Sequence, residues 1–163
     1  MQKIVLEPIG SVKVLRNEEN IRGDHAEVVS EITIFDQFKD GLKGLEGFSH
    51  VIVLCYFDKL RDFEKGVLLV KPRRLTRYGV PLESLPEVGV FSLDSPNRPN
   101  PIAISIVELI NVNQSTITVR GLDAFDGTPV VDIKPYTPDR AICDIKLPEW
   151  YSSLLKKLNI KEI

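Results

Sequence analysis

The alternation of hydrophobic and polar residues predicts a chain built mainly of short strands. In residues 26–34 the even-numbered positions are mostly apolar, which is the period-two pattern of a strand with one buried face. Residues 51–57 are apolar on both faces, as expected for a central strand. Further strands are predicted at residues 4–15 (with an irregularity at Pro8 and Gly10), 66–71, 89–93, 102–112, 116–121 and 130–133.

The remaining segments predict few helices. Residues 36–45 are polar with scattered apolar positions and indicate a short helix or a turn-rich link, and residues 113–115 predict a hairpin turn. Near the C-terminus Trp150, Leu154 and Leu158 recur every four residues, which predicts an amphipathic helix. Seven or eight short strands separated by turns indicate an all-β fold, either a barrel or a sandwich. We expect this helix to cover an open end of a barrel rather than to form an interface.

Composition adds two constraints to this picture. The 163 residues suit a single domain, and ten of the 11 prolines lie between Pro72 and Pro148, where helices are therefore disfavoured. The formal net charge is −2, but residues 59–77 hold seven basic against two acidic side chains, a net +5 that leaves −7 for the rest. Such a local patch could attract phosphates, and a merely solvated loop is the alternative.

Several classes of protein are disfavoured. Two cysteines, Cys55 and Cys143, and no secretory hydrophobic region predict a reduced, cytoplasmic protein without disulfides. The longest apolar run, residues 51–57, is too short to span a membrane. Neither a glycine-rich dinucleotide loop, nor a phosphate-binding P-loop, nor a Cys/His cluster with metal-ligand spacing occurs, so no metal site is expected.

Two segments could carry chemistry. In Ser95-Pro96-Asn97-Arg98-Pro99-Asn100-Pro101 two prolines bracket Asn100 and keep it extended, so that the loop presents Arg98 and Asn100 rigidly. A stiff connection at a barrel rim is an equally good interpretation of that loop on physical grounds alone. The second segment, Gly121-Leu-Asp-Ala-Phe-Asp-Gly-Thr-Pro129, places Asp123 and Asp126 at a turn, where they could bind a cation, a ribose diol or an amine. Turn capping is the stronger alternative there, and Asp132, Lys134 and Tyr136 follow at once.

Taken together these segments resemble one family. The motifs that carry the resemblance are Gly44-Leu-Glu-Gly-Phe-Ser-His50, Gly89-Val-Phe91, Ser95-Pro-Asn-Arg-Pro-Asn-Pro-Ile102, Gly121-Leu-Asp123 and Asp126-Gly-Thr-Pro-Val-Val-Asp-Ile-Lys-Pro-Tyr-Thr-Pro138. In this order they are similar to the TrmO family, also called TsaA-like or YaeB-like, over residues 9–138.

The resemblance implies a small single-sheet β-barrel, mainly antiparallel, that binds S-adenosylmethionine and works as a homodimer. It implies an enzyme that methylates N6 of threonylcarbamoyladenosine beside the anticodon of tRNA. The barrel domain would span residues 1–138, and residues 139–163 would be a helical extension of the same domain.

The resemblance also implies a set of site residues. The cofactor would be held by rim loops that contain Asp58, Lys59, Asp94, Ile104, Leu122, Asp123, Ala124, Phe125 and Asp126, with Asp123 and Asp126 on the ribose hydroxyls or the amino end and Phe125 on the adenine. Asn100 would orient the base, and Asp126 or Asp132 would accept the proton of N6. Arg98, Lys134 and the basic stretch with Arg73 and Arg74 would hold RNA phosphates.

The chain departs from the family at two presumed ligand positions. Ile21-Arg-Gly-Asp-His25 stands where the family has Pro-Arg-Gln, and Leu93-Asp94-Ser95-Pro96 stands where it often has Thr-Arg-Ser-Pro. Two alternatives therefore stay open, namely a methyltransferase for another RNA or a small metabolite, and a non-catalytic module that binds S-adenosylmethionine.

Overall fold

The computed structural model describes residues 3–15, 25–61 and 64–158. Its main feature is a six-stranded antiparallel β-barrel, closed in the order β1-β2-β7-β6-β3-β8. The strands are β1 (Gly10–Val14), β2 (Val29–Ile34), β3 (His50–Tyr56), β4 (Leu69–Val70), β5 (Val88–Gly89), β6 (Ile102–Asn113), β7 (Thr116–Arg120) and β8 (Pro129–Pro135), followed by one helix, α1 (Glu149–Lys157). The all-β prediction is confirmed, and of its two architectures the barrel is the one adopted.

The barrel core comes from the alternating positions that the sequence pattern indicates. Ile32 on β2, Val51 and Val53 on β3, and Ile117 and Val119 on β7 are all fully buried. On β3 the buried side chains alternate with half-buried or exposed ones, so its second apolar face points away from the core.

Two side chains buried in the barrel interior, Cys55 and Ser30, end in a thiol and a hydroxyl group. Cys55 is 2% exposed, and burial raises the pKa of its thiol to about 12, which makes it a small apolar core residue rather than a nucleophile. Ser30 is fully buried in register with Val14 and Val119, and within the described residues its hydroxyl has no hydrogen-bond partner. Such an orphaned group costs free energy that the packing around it must offset.

Several predicted strands are shorter in the structure, for local reasons. Residues 4–9 are not a strand, because Pro8 has no N–H to donate and the paired ladder begins only at Gly10. The strand predicted at residues 89–93 ends after Gly89 and continues as a 3-10 helix, Val90–Ser92. The strand predicted at residues 66–71 is reduced to β4, whose only pairing partner among the described residues is the two-residue β5.

The connections divide between the two ends of the barrel. Because the six barrel strands alternate in direction, the ends of β1, β3 and β7 and the starts of β2, β6 and β8 lie at one end, which we call the upper rim. Residues 35–49, with the 3-10 helix Asp36–Leu42, and the Gln114–Ser115 turn of the predicted hairpin lie at the other end. The two segments that the sequence marks for chemistry, residues 95–101 and 121–129, therefore both reach the upper rim, at the starts of β6 and β8.

Candidate functional site

The upper rim is organised by contacts from the residues that follow β3. The backbone N–H of Phe57 donates to the carbonyl of Pro101 at 2.9 Å, which joins the end of β3 to the proline-rich loop. Two residues later the Nζ of Lys59 donates to the backbone carbonyl of Asp126 at 2.7 Å. The structure thus brings Asp58, Lys59, Asn100 and Asp126 into one neighbourhood, although they come from three separate segments.

Asp126 also joins its turn to the end of β1. Its Oδ1 accepts a hydrogen bond of 3.0 Å from the backbone N–H of Val14, 112 residues earlier in the chain. Next to it Gly127 donates to the carbonyl of Val12 at 2.7 Å, in a left-handed conformation with φ +77° that glycine adopts without strain. One carboxylate oxygen of Asp126 is therefore structural, while the residue itself remains exposed.

The rest of the 122–126 segment splits between core and surface. Leu122 and Ala124 are 1% and 2% exposed and belong to the barrel core, so only their backbone can face a ligand. Asp123 is exposed and Phe125 is 39% exposed. The turn therefore presents two carboxylates and one aromatic ring to the solvent at the rim.

Arg98 lies half-buried within its own loop. Its Nε donates to the carbonyl of Ser95 at 2.8 Å, and its Nη2 donates to the carbonyls of Val90, at 3.3 Å, and Leu93. These bonds fix the loop that contains Asp94 and leads to Asn100, both of which are exposed. The guanidinium, which the resemblance assigns to RNA phosphates, is thus already bonded to backbone carbonyls. A phosphate contact of Arg98 stays a prediction.

Two other predicted residues lie on the outer wall of the barrel. Lys134 is ion-paired with Asp132 at 2.6 Å, in register with Ile52, four residues below the end of β3. Ile104 is 68% exposed on the outer face of β6, two residues from its start. Asp132 and Ile104 are both in register with Leu54, two residues below the end of β3, whereas Lys134 is lower on the wall.

The basic stretch is partly occupied by contacts within the protein. Arg61 is paired with Glu64 at 2.8 Å, and Lys71 donates to the carbonyls of Leu82 and Glu83 at 3.2 and 3.3 Å. Arg73 and Arg74 are exposed at the start of the 3-10 helix Arg73–Tyr78. The outward-facing part of the +5 patch is therefore narrower than the charge count indicates.

Other parts of the described structure show no competing site. An open depression of about 460 Å³ at the lower end is lined by residues 46–48 and 109–112, without a cluster of candidate catalytic groups.

No group of three or more His, Cys, Asp or Glu residues in the described ranges could hold a metal ion. No described helix is long and apolar enough to cross a membrane. The predicted first ligand loop, residues 21–25, lies almost wholly outside the described residues.

Comparisons with known proteins agree with the motifs. The chain is 40% identical over 139 residues to an "S-adenosyl-L-methionine-binding protein" of Archaeoglobus fulgidus, which covers 83% of this chain and 91% of that one. It is 40% identical over 106 residues to a mouse "tRNA (adenine(37)-N6)-methyltransferase", covering 65% of this chain and 22% of that one. A crystal structure of TrmO superposes with a TM-score of 0.69 at 27% identity, covering 90% of this chain and 64% of that chain.

The family profile extends over most of the chain. The profile described as "tRNA-methyltransferase O N-terminal domain" matches residues 17–141. This range includes all of the connecting segments 57–101 and 121–128, and all of segment 15–28 except residues 15 and 16. The chain spans less than two-thirds of the length of the TrmO structure that it matches. On its barrel topology, its rim motifs and this match, the chain belongs to the TrmO family of methyltransferases.

Proposed function

We propose that this protein transfers a methyl group from S-adenosylmethionine to N6 of threonylcarbamoyladenosine beside the anticodon of tRNA. The observation that carries the proposal is the convergence of Asn100, Lys59 and Asp126 at the upper rim through the Phe57–Pro101 and Lys59–Asp126 hydrogen bonds. These are the segments in which the family resemblance is most specific. A tRNA-modifying role also places the protein in the cytoplasm.

The rim has the residue types that S-adenosylmethionine requires. The cofactor combines a sulfonium and an ammonium cation with a ribose diol and an aromatic base. Exposed carboxylates at Asp58, Asp94 and Asp123 suit the cations and the diol, while Phe125 offers a ring for the adenine. Lys59, Ile104 and the backbone of residues 122–124 complete the proposed set.

For the chemical step, S-adenosylmethionine supplies an electrophilic methyl group, which moves from sulfur to N6 while N6 gives up its proton. Asn100 is held extended between two prolines and orients the base through its amide group. The carboxylate of Asp126 takes the proton, because Oδ1 is occupied by Val14 and Oδ2 remains for a substrate. Asp132, the other candidate base, accepts from the backbone N–H of Ile133 at Oδ1 and is paired with Lys134 at Oδ2, which favours Asp126.

Exposed arginines next to the rim suit the RNA. Arg73 and Arg74 are exposed on the same long connection as Asn100, and they are the side chains proposed to contact the phosphates of a tRNA whose anticodon loop reaches the rim. Lys134 would contact phosphates only if RNA also followed the outer wall. Arg98 contributes by holding the loop.

We further propose that the protein is a homodimer, formed through the outer face of β3 and β6. Ile52, Leu54 and Tyr56 lie there in register with Ile106, Ile104 and Ile102. Ile104 and Ile106 are 68% and 54% exposed, whereas the outer faces of β2 and β7 carry mostly polar side chains. The Asp132–Lys134 pair on β8 borders this face, and an exposed apolar patch of this kind suits the self-complementary contact of a two-fold dimer.

Charging this face should separate the copies. Ile106→Asp is expected to convert the protein from dimer to monomer in analytical ultracentrifugation, because a carboxylate would be buried without a partner. Ile142→Asp, at an equally apolar position that is 74% exposed in the C-terminal segment, should leave the dimer intact. A wild-type monomer, or an Ile106→Asp protein that sediments as the wild type does, would argue against this interface.

The C-terminal helix is proposed to complete the same domain. Leu155 on α1 is 3% exposed within the single chain, so other residues of that chain already cover it. Trp150 packs edge-on against Tyr151 with 5.3 Å between ring centroids. This supports treating residues 139–163 as an extension of the barrel domain of residues 1–138, with the helix covering the domain rather than forming the interface.

The proposal is tested by following methyl groups on RNA. Purified protein, tRNA from cells that lack it, and S-adenosylmethionine labelled in the methyl group should give labelled N6-methylated threonylcarbamoyladenosine in nucleoside mass spectrometry. Label in another nucleoside would indicate a different RNA substrate. Calorimetric binding of S-adenosylmethionine with no label in any RNA or metabolite fraction would instead favour the non-catalytic module, which the name of the Archaeoglobus relative also suggests.

A further inference from the structure

One aromatic side chain outside the proposed site is unusually exposed. Phe91 is 80% exposed, on the 3-10 helix Val90–Ser92 that follows β5. Next to it Leu68 and Leu69 are 60% and 59% exposed, since Val90 donates to the carbonyl of Leu68 at 2.8 Å and Leu69 pairs with Gly89. We call Leu68, Leu69 and Phe91 the Phe91 platform.

The backbone under this platform is fixed. Arg98 donates through one nitrogen to the carbonyls of Val90 and Leu93, which bracket Phe91, and Leu93 donates back to Val90 at 3.3 Å. A ring presented on a clamped turn loses little conformational entropy when it binds. Arg98 is therefore a positioning residue for Phe91.

The platform belongs to a segment of net positive charge, since residues 59–98 hold eight basic and five acidic side chains, a net +3. The carbonyl of Arg98 accepts from Gly66 at 3.4 Å, and two residues before Gly66 the carboxyl of Glu64 is bonded to Arg61. That pairing, with a smaller contribution from the charge of Arg73, lowers the pKa of Glu64 to about 2. An exposed ring on a segment of net positive charge supplies two features by which proteins bind single-stranded nucleic acid, a stacking surface and basic side chains.

We propose that Phe91 stacks on an unpaired base of bound RNA, with Arg98 holding the turn that presents it. The proposal rests on the proposed function for the identity of that RNA, but its chemistry needs only a single-stranded segment. Charge favours RNA over an apolar protein partner for this platform. A second copy of the chain already has a larger apolar face to bind, on β3 and β6.

The test compares the wild type and four variants for their affinity for an anticodon stem-loop RNA by fluorescence anisotropy. Phe91→Ala is expected to weaken binding by roughly 5- to 150-fold, the range typical for loss of one base–aromatic stack. Phe91→Tyr should bind as the wild type does, and Phe91→Leu should stay weak because it keeps apolar area but has no π face. Phe48→Ala, at the lower end of the barrel, is the matched control and should have no effect.

Two further readings decide the outcome. An RNA with an abasic site at the stacked position should bind wild type and Phe91→Ala equally. Wild-type affinity of Phe91→Ala or of Phe91→Leu, or a change of oligomeric state in Phe91→Ala, would overturn the inference. Methyl transfer in the same samples separates the two proposals: Phe91-dependent binding without transfer contradicts only the proposed function, and transfer with Phe91-independent binding contradicts only this inference.

Discussion

Replacing Asp126 with asparagine is expected to slow methyl transfer to tRNA by roughly 10²- to 10⁴-fold, the usual contribution of a positioned general base. The amide oxygen of asparagine can still accept the hydrogen bond from Val14, so the turn is retained while the proton acceptor is lost. Single-turnover transfer of labelled methyl groups measures this step apart from product release.

The matched control is Asp40→Asn in the 3-10 helix at the lower end of the barrel, which should transfer methyl groups at the wild-type rate. Thermal melting should be similar for both variants. If Asp126→Asn reacts within a factor of about two of the wild type, proton transfer to Asp126 is wrong. If calorimetry shows that the variant no longer binds S-adenosylmethionine, lost binding explains the lower rate. Asp126 is then a cofactor ligand rather than the base.

Gly10→Ala is expected to reduce the free energy of unfolding by about 1–3 kcal/mol or more. A Cβ at Gly10 would lie 2.4 Å from the backbone oxygen of Thr33 and 3.2 Å from the Cα of Ile34. Both are backbone atoms that cannot rotate away, so β1 would have to move relative to β2. Urea denaturation followed by circular dichroism measures the loss.

Gly41→Ala provides the comparison, because a Cβ there meets nothing within 4 Å. Its free energy of unfolding should stay within about 0.5 kcal/mol of the wild type. Equal stability of Gly10→Ala and Gly41→Ala would contradict the close approach of β1 and β2 at Gly10.

The fold was predictable where the pattern reports on local burial. The alternation in β2 places its buried residues correctly, and the apolar run of β3 predicts a central strand, which pairs on both sides, with β6 and β8. The same run could not reveal that the outer face of β3 is partly exposed. An apolar sequence is the same whether a strand face is covered by the rest of the chain or left exposed for a partner. Barrel closure was likewise open, since it depends on pairing between β1 and β8, far apart in the chain.

The site was predictable in its segments but not in the work of each side chain. Proline spacing and the Asp-Gly turn identify the loops, and strand alternation then brings them to one rim. The spacing around Arg98 gives no sign that its guanidinium binds backbone carbonyls, and nothing near Asp126 points to Val14. The exposure of Phe91 was hidden for the same reason, since an isolated aromatic in a sequence is more often core.

The barrel is closed between β1 and β8 by a ladder of two residue pairs, against seven between β3 and β6. Beyond those two pairs the closure continues through the turn itself, where Val12 donates to Thr128, Gly127 donates to Val12 and Val14 donates to Asp126. The shortest seam of the barrel is thus finished by the segment proposed to hold the cofactor. We therefore expect local unfolding of the β1–β8 seam to disrupt the proposed cofactor site at the same time. A bound cofactor would stabilise the closed seam and make this local unfolding rarer.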